Sequence, residues 1–216
     1  MYVSPGVVVG FHGCDKQVAD RVLKRNGRLT PSQNSYDWLG HGIYFWEGSH
    51  DRALRWAREN KKIRDAAVIG AFLRLGNCLD LLDSVQLSKV KVAYDMLRKE
   101  SKALGEPMPT NRGKDDGDAT FIRELDCRVI QRLHQVNNES IARTLGVASL
   151  KGPDRRRIQC HEEFIDSVRG MFPEGRELYD GAGFRDRNHI QLCIVNPNAI
   201  LGYFQPLSKD SGYKPL

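Results

Sequence analysis

Apolar and polar positions along this chain switch between a two-residue and a 3.6-residue period. Residues 7–12 form a short apolar run that ends in His12-Gly13. Its β-branched residues predict a buried strand. Asp15 stands where an N-cap belongs, Val18, Ala19, Val22 and Leu23 follow at helical spacing, and Asn26-Gly27 predicts the stop. Residues 28–39 are polar, with repeated Ser and Asn, and predict a loop. A second strand is expected over 42–46. Ser49 then caps a helix reaching to about Arg64, with Ala53, Trp56, Ala57 and Asn60 along one face.

Residues 67–75 read as a third strand, closed by Gly76-Asn77. Val90, Ala93, Tyr94 and Leu97 mark an amphipathic helix that ends at Leu104-Gly105, and residues 106–118 predict an exposed loop. Phe121, Ile122, Leu125, Val129, Ile130 and Leu133 make the strongest helical stripe of the chain. Residues 137–157 are polar and basic, with a break expected at Gly152-Pro153, and 164–171 fit either a strand or a short helix. A long loop over 173–187 precedes a strand over 189–195, a turn at Asn196-Pro197-Asn198 and a last strand over 200–204. This order predicts an α+β domain rather than a regular βαβ fold. No glycine-rich phosphate loop of Rossmann or Walker type occurs.

Composition narrows the class without naming a function. The chain has 216 residues, of which 40% are hydrophobic and 28% charged, which suits one domain with an elaborate insertion. The five cysteines are odd in number and form no CxxC pair, so neither a disulfide framework nor a zinc site is expected, and a reducing cytoplasm is. The first residues carry no basic leader and do not read as a signal peptide. No apolar run approaches the roughly 20 residues that cross a bilayer. A net charge of +6 favours polyanionic partners, either nucleic acid or the pyrophosphate of a dinucleotide, or else describes a soluble basic surface.

Two segments carry the chemistry: Phe11-His12-Gly13, and Gly40-His41-Gly42-Ile43-Tyr44-Phe45. Together they resemble the NAD-binding half-site of the ADP-ribosyltransferases, in the branch of diphtheria toxin and the poly(ADP-ribose) polymerases. The resemblance covers about half the chain in three pieces, 8–57, 67–76 and 189–204. It implies a split β-sheet core with peripheral helices, in a single domain over 1–207 followed by a tail, 208–216. Residues 81–170 would be a helical insertion or target-recognition region.

Taken alone, His12 reads as a structural histidine and Tyr44 as a core aromatic. The resemblance assigns Gly13 to the nicotinamide carboxamide, which a bare backbone can approach closely. It assigns His12 to a ribose of the dinucleotide and Tyr44 to stacking on nicotinamide. Trp56, or Arg55 or Arg52 beside it, is expected to close the far side, and Ser35, Asn34 and Asp37 to meet ribose or phosphate. The chain departs from the family at the third motif position, where a glutamate belongs. Alternation puts His189, Gln191 and Cys193 on one face of the late strand. Gln191 is the residue there able to accept a ribose hydrogen bond, without the charge. In relatives the loss of that glutamate goes with single transfer rather than chain growth.

The expected catalytic set is therefore His12, Tyr44 and Gln191, with NAD as co-substrate and no metal. Glu174 or Glu177 is the expected acceptor-side base, ahead of Glu162 and Glu163. Arg155, Arg156 and Arg157, joined by Lys151 and Arg143, are either a grip on a phosphate backbone or a solvated surface. The sequence thus predicts a cytoplasmic mono-ADP-ribosyltransferase acting on a macromolecule, with RNA favoured by the charge. It would be an effector of a bacterial toxin–antitoxin or phage-defence system, with an antitoxin as partner. The alternatives are a protein-modifying enzyme of the same class, an inactive binding module of the same fold, and an RNA 2′-phosphotransferase.

Overall fold

The computed structural model describes residues 6–24, 27–113 and 122–207. Asn26 of the expected helix stop, Phe121 of the helical stripe, the end of the 106–118 loop and the 208–216 tail lie outside the described residues.

The first apolar run becomes strand β1, Val8–Asp15, and runs directly into helix α1, Lys16–Lys24. Asp15 caps it as expected, its carboxylate accepting from the Gln17 amide at 2.8 Å. After the loop come β2, Ile43–Glu47, and α2, His50–Arg55. The helix expected to reach Arg64 is shorter. It widens into a π-helical turn, Trp56–Asn60, and ends beside Lys62, whose φ is 52°. Strand β3, Ala66–Leu73, is apolar throughout and buried over Val68–Ala71, while Phe72 is exposed. Strand β4, Cys78–Asp80, is too short to show a period and escapes the sequence reading.

Helix α3, Ser84–Leu104, starts earlier than its apolar stripe because Asp83 caps it, accepting from the Val85 amide. A two-stranded ribbon, β5 (Asn111–Arg112) with β6 (Ile122–Arg123), leads into α4, Glu124–Leu145. Helix α4 corrects the expected polar stretch after residue 137. Ile141 and Ala142 carry the buried stripe of Val129, Ile130 and Leu133 through the polar residues. The break expected at Gly152-Pro153 is instead the start of α5, Gly152–Gln159, where a first-turn proline lacks only an amide that would have no helical partner. Strands β7 (Ser167–Phe172), β8 (His189–Ile194) and β9 (Ile200–Phe204) complete the chain.

Seven strands form one mixed sheet in the order β4-β7-β8-β2-β1-β3-β9, in which only the β4–β7 pair is parallel. The described residues thus build an α+β domain of a large mixed sheet with five α-helices. One face carries α1 over Cys14, Ile43, Phe45, Ile69, Leu192 and Ile194. On the other face α3 and α4 cover the β7-β8 side through Leu97, Ile130, Val168 and Cys193, while α2 sits over Trp46 and Val68. All three helices that follow the sheet's first half, α3 to α5, lie between β4 and β7, within the expected 81–170 insertion.

The seam in the middle of this sheet is short. β1 pairs with β3 over eight residues, from Val8↔Leu73 to Asp15↔Ala66. With β2 it pairs at only Gly10↔Glu47 and Phe11↔Trp46. Beyond Phe11 the two strands part, and α2 comes down beside the gap. The approach is close enough that a Cβ on Gly13 would run into the Ala53 carbonyl of α2 and lie 3.2 Å from the Ala57 Cβ. Glycine at position 13 is required by helix packing. Gly13→Ala is expected to cost about 1–3 kcal/mol of stability, read as a lowered midpoint of thermal or urea unfolding; an unchanged midpoint would mean that α2 is not seated on β1.

Candidate functional site

The gap between β1 and β2 opens into a cavity of about 230 Å³. Three strands bring the expected triad to it: His12 from β1, Tyr44 from β2 and Gln191 from β8 all line it. Trp56 from the π-helical turn and Glu174 from the β7–β8 loop join them. The ladder register alone would put His12 on the face of Phe45 and Tyr44 on the opposite face. The two reach one cavity because the strands have separated there.

His12 holds the gap. Its Nδ1 donates to the Tyr44 carbonyl at 2.7 Å, which fixes the proton on Nδ1. Burial lowers its pKa below the ordinary value, against the raising effect of that bond. The neutral ring then keeps Nε2 as an acceptor. Gly13 is not part of the cavity wall, but its peptide is oriented usefully. The Val9 carbonyl accepts from Gly48 N on the β2 side. Alternation therefore turns the N–H and C=O of Phe11 and Gly13 to that same side, and at Gly13 the β1–β2 ladder has already ended.

Tyr44 is anchored at its far end. Its hydroxyl donates to the Gly40 carbonyl at 2.8 Å and accepts from the Leu39 amide at 3.0 Å. Burial raises its pKa well above the usual value, so it stays a neutral phenol. Gly40 sits at φ 82°, the left-handed region that glycine tolerates, and this bends the loop back to β2.

Gln191 has a defined amide orientation. Trp38 Nε1 donates to its Oε1 at 2.7 Å, and an indole can only donate. On the other side its Nε2 lies 2.9 Å from His189 Nε2. His189 Nδ1 donates to the Arg187 carbonyl at 2.7 Å, so its Nε2 is the acceptor. Burial first, and the Arg52 charge after it, lower the His189 pKa to about 4. One N–H and one lone pair of Gln191 are left over for the cavity.

Glu174 is buried and ion-paired with buried Arg52 at 2.5 Å. It lies 3.9 Å from His189 Nδ1, and since His189 is neutral that contact is not an ion pair. Two carboxylates line this cavity, Asp37 and Glu174, and Glu174 is the one beside His189. Aromatic walls complete it: Trp46 and Trp56 pack with ring centroids 5.2 Å apart, and Lys61 Nζ stands 5.3 Å over the Trp56 ring. Trp46 Nε1 is buried without a hydrogen-bond partner among the described residues. A buried donor on a cavity wall is able to bond a water molecule or a ligand acceptor.

Several expected residues stand elsewhere. Ser35 is exposed at the tip of a turn closed by Asp37, whose carboxylate accepts from the Asn34 amide at 2.8 Å. Thr30, Ser32 and Asn34 line the cavity in its place. Glu177 is exposed, accepts from the Gly181 amide and joins Arg185 in a backbone bridge within its own loop. Arg156 is exposed, and Arg157 reaches back to the Leu145 carbonyl and Asp154, because consecutive helical residues point in different directions. Arg155 borders a second, neighbouring cavity. The sequence reading missed Trp38, Trp46 and Phe172 as wall residues. Tyr36-Asp37-Trp38, two aromatics inside an otherwise polar loop, was the available signal.

A larger groove of about 870 Å³ lies between α3 and α4; it holds none of the expected triad, and Glu162 and Glu163 stand on its wall, away from the smaller cavity. Its walls mix aliphatic residues such as Val92, Met96 and Leu133 with polar ones such as Gln86, Lys89 and Asn137. No helix among the described residues is long and apolar enough to cross a membrane.

Comparison with known proteins adds one relative. The chain is 23% identical over 204 residues to an uncharacterized protein of Methanocaldococcus jannaschii, covering 88% of this chain and 83% of that one. No known family profile and no solved structure matches it.

The buried histidines make stability depend on pH. His134 of α4 and His189 are both lowered to about 4 by burial, against about 6.5 in an unfolded chain. Between those values the unfolded chain binds more protons than the folded one, so stability is complete above about pH 6.5 and falls as pH drops towards 4. Thermal midpoints should decline steadily from about pH 6.5 to about pH 4.5, with no matching change between about pH 7 and 8. A flat profile across the acidic range would mean that neither ring is buried.

Proposed function

We propose that this protein is a mono-ADP-ribosyltransferase of the cytoplasm that cleaves NAD and transfers ADP-ribose to a macromolecule, RNA being the favoured acceptor. The observation that carries the reading is convergence. His12, Tyr44 and Gln191, picked from three distant segments by their motif resemblance, line one cavity with Trp56 and Glu174. The β1–β2 seam, only two residue pairs long, gives the sheet the split that such a site needs.

The parts fit half of a dinucleotide. A cavity of about 230 Å³ is below the range of roughly 300–1,000 Å³ that encloses a whole drug-sized ligand. It takes one ring and its ribose, with the remainder of the dinucleotide lying across the rim. The Gly13 peptide edge offers a donor and an acceptor to a carboxamide. Tyr44, Trp46 and Trp56 provide aromatic surface, and His12 Nε2 accepts from a ribose hydroxyl. In the reaction the bond between nicotinamide and ribose breaks, the electron pair leaves with nicotinamide, and the ribose becomes cation-like until the acceptor's nucleophile bonds to it. The protein's share is to hold both halves and exclude water.

Gln191 in place of a carboxylate favours the second reading, an inactive binding module. Glu174 is the counter-argument: it puts a negative charge in the same cavity, partly balanced by Arg52.

Incubation with labelled NAD and cell lysate separates these readings. Label removed by nuclease is expected; label removed by protease would move the acceptor to protein, and no nicotinamide release would leave the binding module. Gln191→Ala should lower turnover by about 10²-fold or more while changing NAD affinity little, because its bond matters most as charge develops. Turnover that survives this change would remove Gln191 from the reaction. Tyr44→Ala should abolish most activity by removing a stacking surface worth about 0.5–1.5 kcal/mol beyond its buried area, seen as loss of both NAD affinity and nicotinamide release.

A further inference from the structure

A second cavity, of about 350 Å³, backs onto the first. The partition between them is one extended chain thick. Thr30, Ser32 and Asn34 face the first cavity, while Pro31 and Gln33 face the second. Gly42 borders both, and two backbone hydrogen bonds of 2.8 and 3.1 Å tie it to Ser32. A ligand spanning the two cavities needs only to cross that bridge.

The chemistry of the second cavity differs from that of the first. Gln33, Gln131, Asn138 and Gln159 bring four carboxamides to its walls, and none of its lining residues is acidic. Gln131, His134 and Asn138 stand at i, i+3 and i+7 on α4, one face of the helix turned to the cavity. His134 Nε2 is buried with no hydrogen-bond partner among the described residues. Ile158 and Phe164 supply apolar surface, and exposed Arg155 stands at the mouth.

A carboxamide is the neutral side chain that presents a donor and an acceptor side by side. That pair matches the hydrogen-bonding edge of a base, and it offers nothing particular to an aliphatic or acidic peptide side chain. An enclosed pocket beside an apolar wall accepts a base only when it is unstacked, as in single strands. Arginine at the entrance suits the phosphate that every such base carries.

We propose that this second cavity is a nucleobase site for a single-stranded nucleic-acid acceptor, reading the base next to the one modified at the first cavity, with Arg155 on the intervening phosphate. The proposal rests on the transferase reading above and adds to it a device for sequence context, built by α4 and α5.

The test uses the full chain and fluorescently labelled short RNA homopolymers of A, C and U. Binding is followed by anisotropy, and nicotinamide release from NAD without RNA is measured in parallel. Wild-type protein should prefer one base on the order of tenfold. Asn138→Ala and Gln33→Ala should each flatten that preference. Gln33 is exposed, so its truncation keeps the test readable if Asn138→Ala folds poorly. Arg155→Ala should weaken all homopolymers alike and reduce the salt slope of binding by about 0.7. Nicotinamide release should be unchanged in all three variants. A base preference that is absent in the wild type, or retained in both amide variants, overturns the proposal. Loss of NAD affinity in the amide variants also overturns it, because the cavity would then hold the adenine end of the dinucleotide. A preserved base preference without nicotinamide release would sink the transferase reading alone, so the two failures are told apart.

Discussion

Two strands that run side by side and then part create the space in which everything else happens. β1 and β2 share two residue pairs, after which the β2-facing peptide edge at Gly13 is left beyond the ladder. An open sheet seam of this kind would normally close or fill with water, since unpaired backbone groups are costly to bury. Here two neighbouring residues of β1, Gly13 and His12, keep it apart. The missing Cβ of Gly13 lets α2 settle against the strand from one face. From the other face the His12 imidazole reaches across and takes the Tyr44 carbonyl that a neighbouring strand would otherwise have bonded. The cavity is thus a consequence of the sheet's own hydrogen-bond accounting, and the residues that line it are those that stand where the accounting is left incomplete.

The strands and the site were legible from sequence to different degrees, for physical reasons. β1, β2, β8 and β9 are short apolar runs bounded by glycine, asparagine or proline, and each lies within a few residues of its expected place. The polar second half of α4 was hidden because Ile141 and Ala142 continue the stripe two turns beyond Leu133, past a window in which Gln135, Asn137 and Asn138 mask it. β4 has three residues and no period to read. At the site, His12 and Tyr44 were visible because they sit in motifs, and Gln191 because strand alternation places it where the motif glutamate is missing. Trp38, which fixes the Gln191 amide from 153 positions away in sequence, was not, since nothing local in the loop announces a partner so distant. The three consecutive arginines were read as one patch from a string of letters, but a helix distributes neighbours around its axis, and of the three it is Arg155 that borders the second cavity.

The electrostatics of the main cavity are those of a site that holds rather than titrates. His12 and His189 are pushed towards neutrality by burial, and Tyr44 is kept a phenol. The Gln191 amide is neutral and pinned at both ends. The Glu174 carboxylate is buried against Arg52, a guanidinium whose Nε and one terminal nitrogen find no other partner among the described residues. Removing either partner of such a pair leaves an uncompensated buried charge, which costs about 3–5 kcal/mol. The pair is therefore a fixed dipole at the edge of the site. For breaking a glycosidic bond whose transition state is a spread cation, fixed dipoles and acceptors suffice, because the bond cleaves by charge separation and the leaving group needs only to be held.

On the proposed transferase reading, that economy shifts the burden of selectivity to the acceptor. A cavity that stabilises a cation-like sugar will pass it to any nucleophile that arrives, water included, unless the arriving molecule is itself positioned. The walls around the reactive region are mainly aromatic and sit on the sheet, whereas the amide-rich surface lies across the 30–34 partition on α4 and α5. These helices belong to the insertion between β4 and β7, outside the strands that build the seam. The division follows from geometry: the strands define the gap, where the proposed donor would be held, and a helix laid over the adjoining loop can change its outward-facing residues without disturbing that gap. Gly42, tied to Ser32 on the partition and continuous with Ile43 of β2, is the point where the two surfaces meet. On the proposed reading, a ligand that engages the helical side passes there to reach the first cavity, so recognition and transfer would be coupled by a single turn of chain.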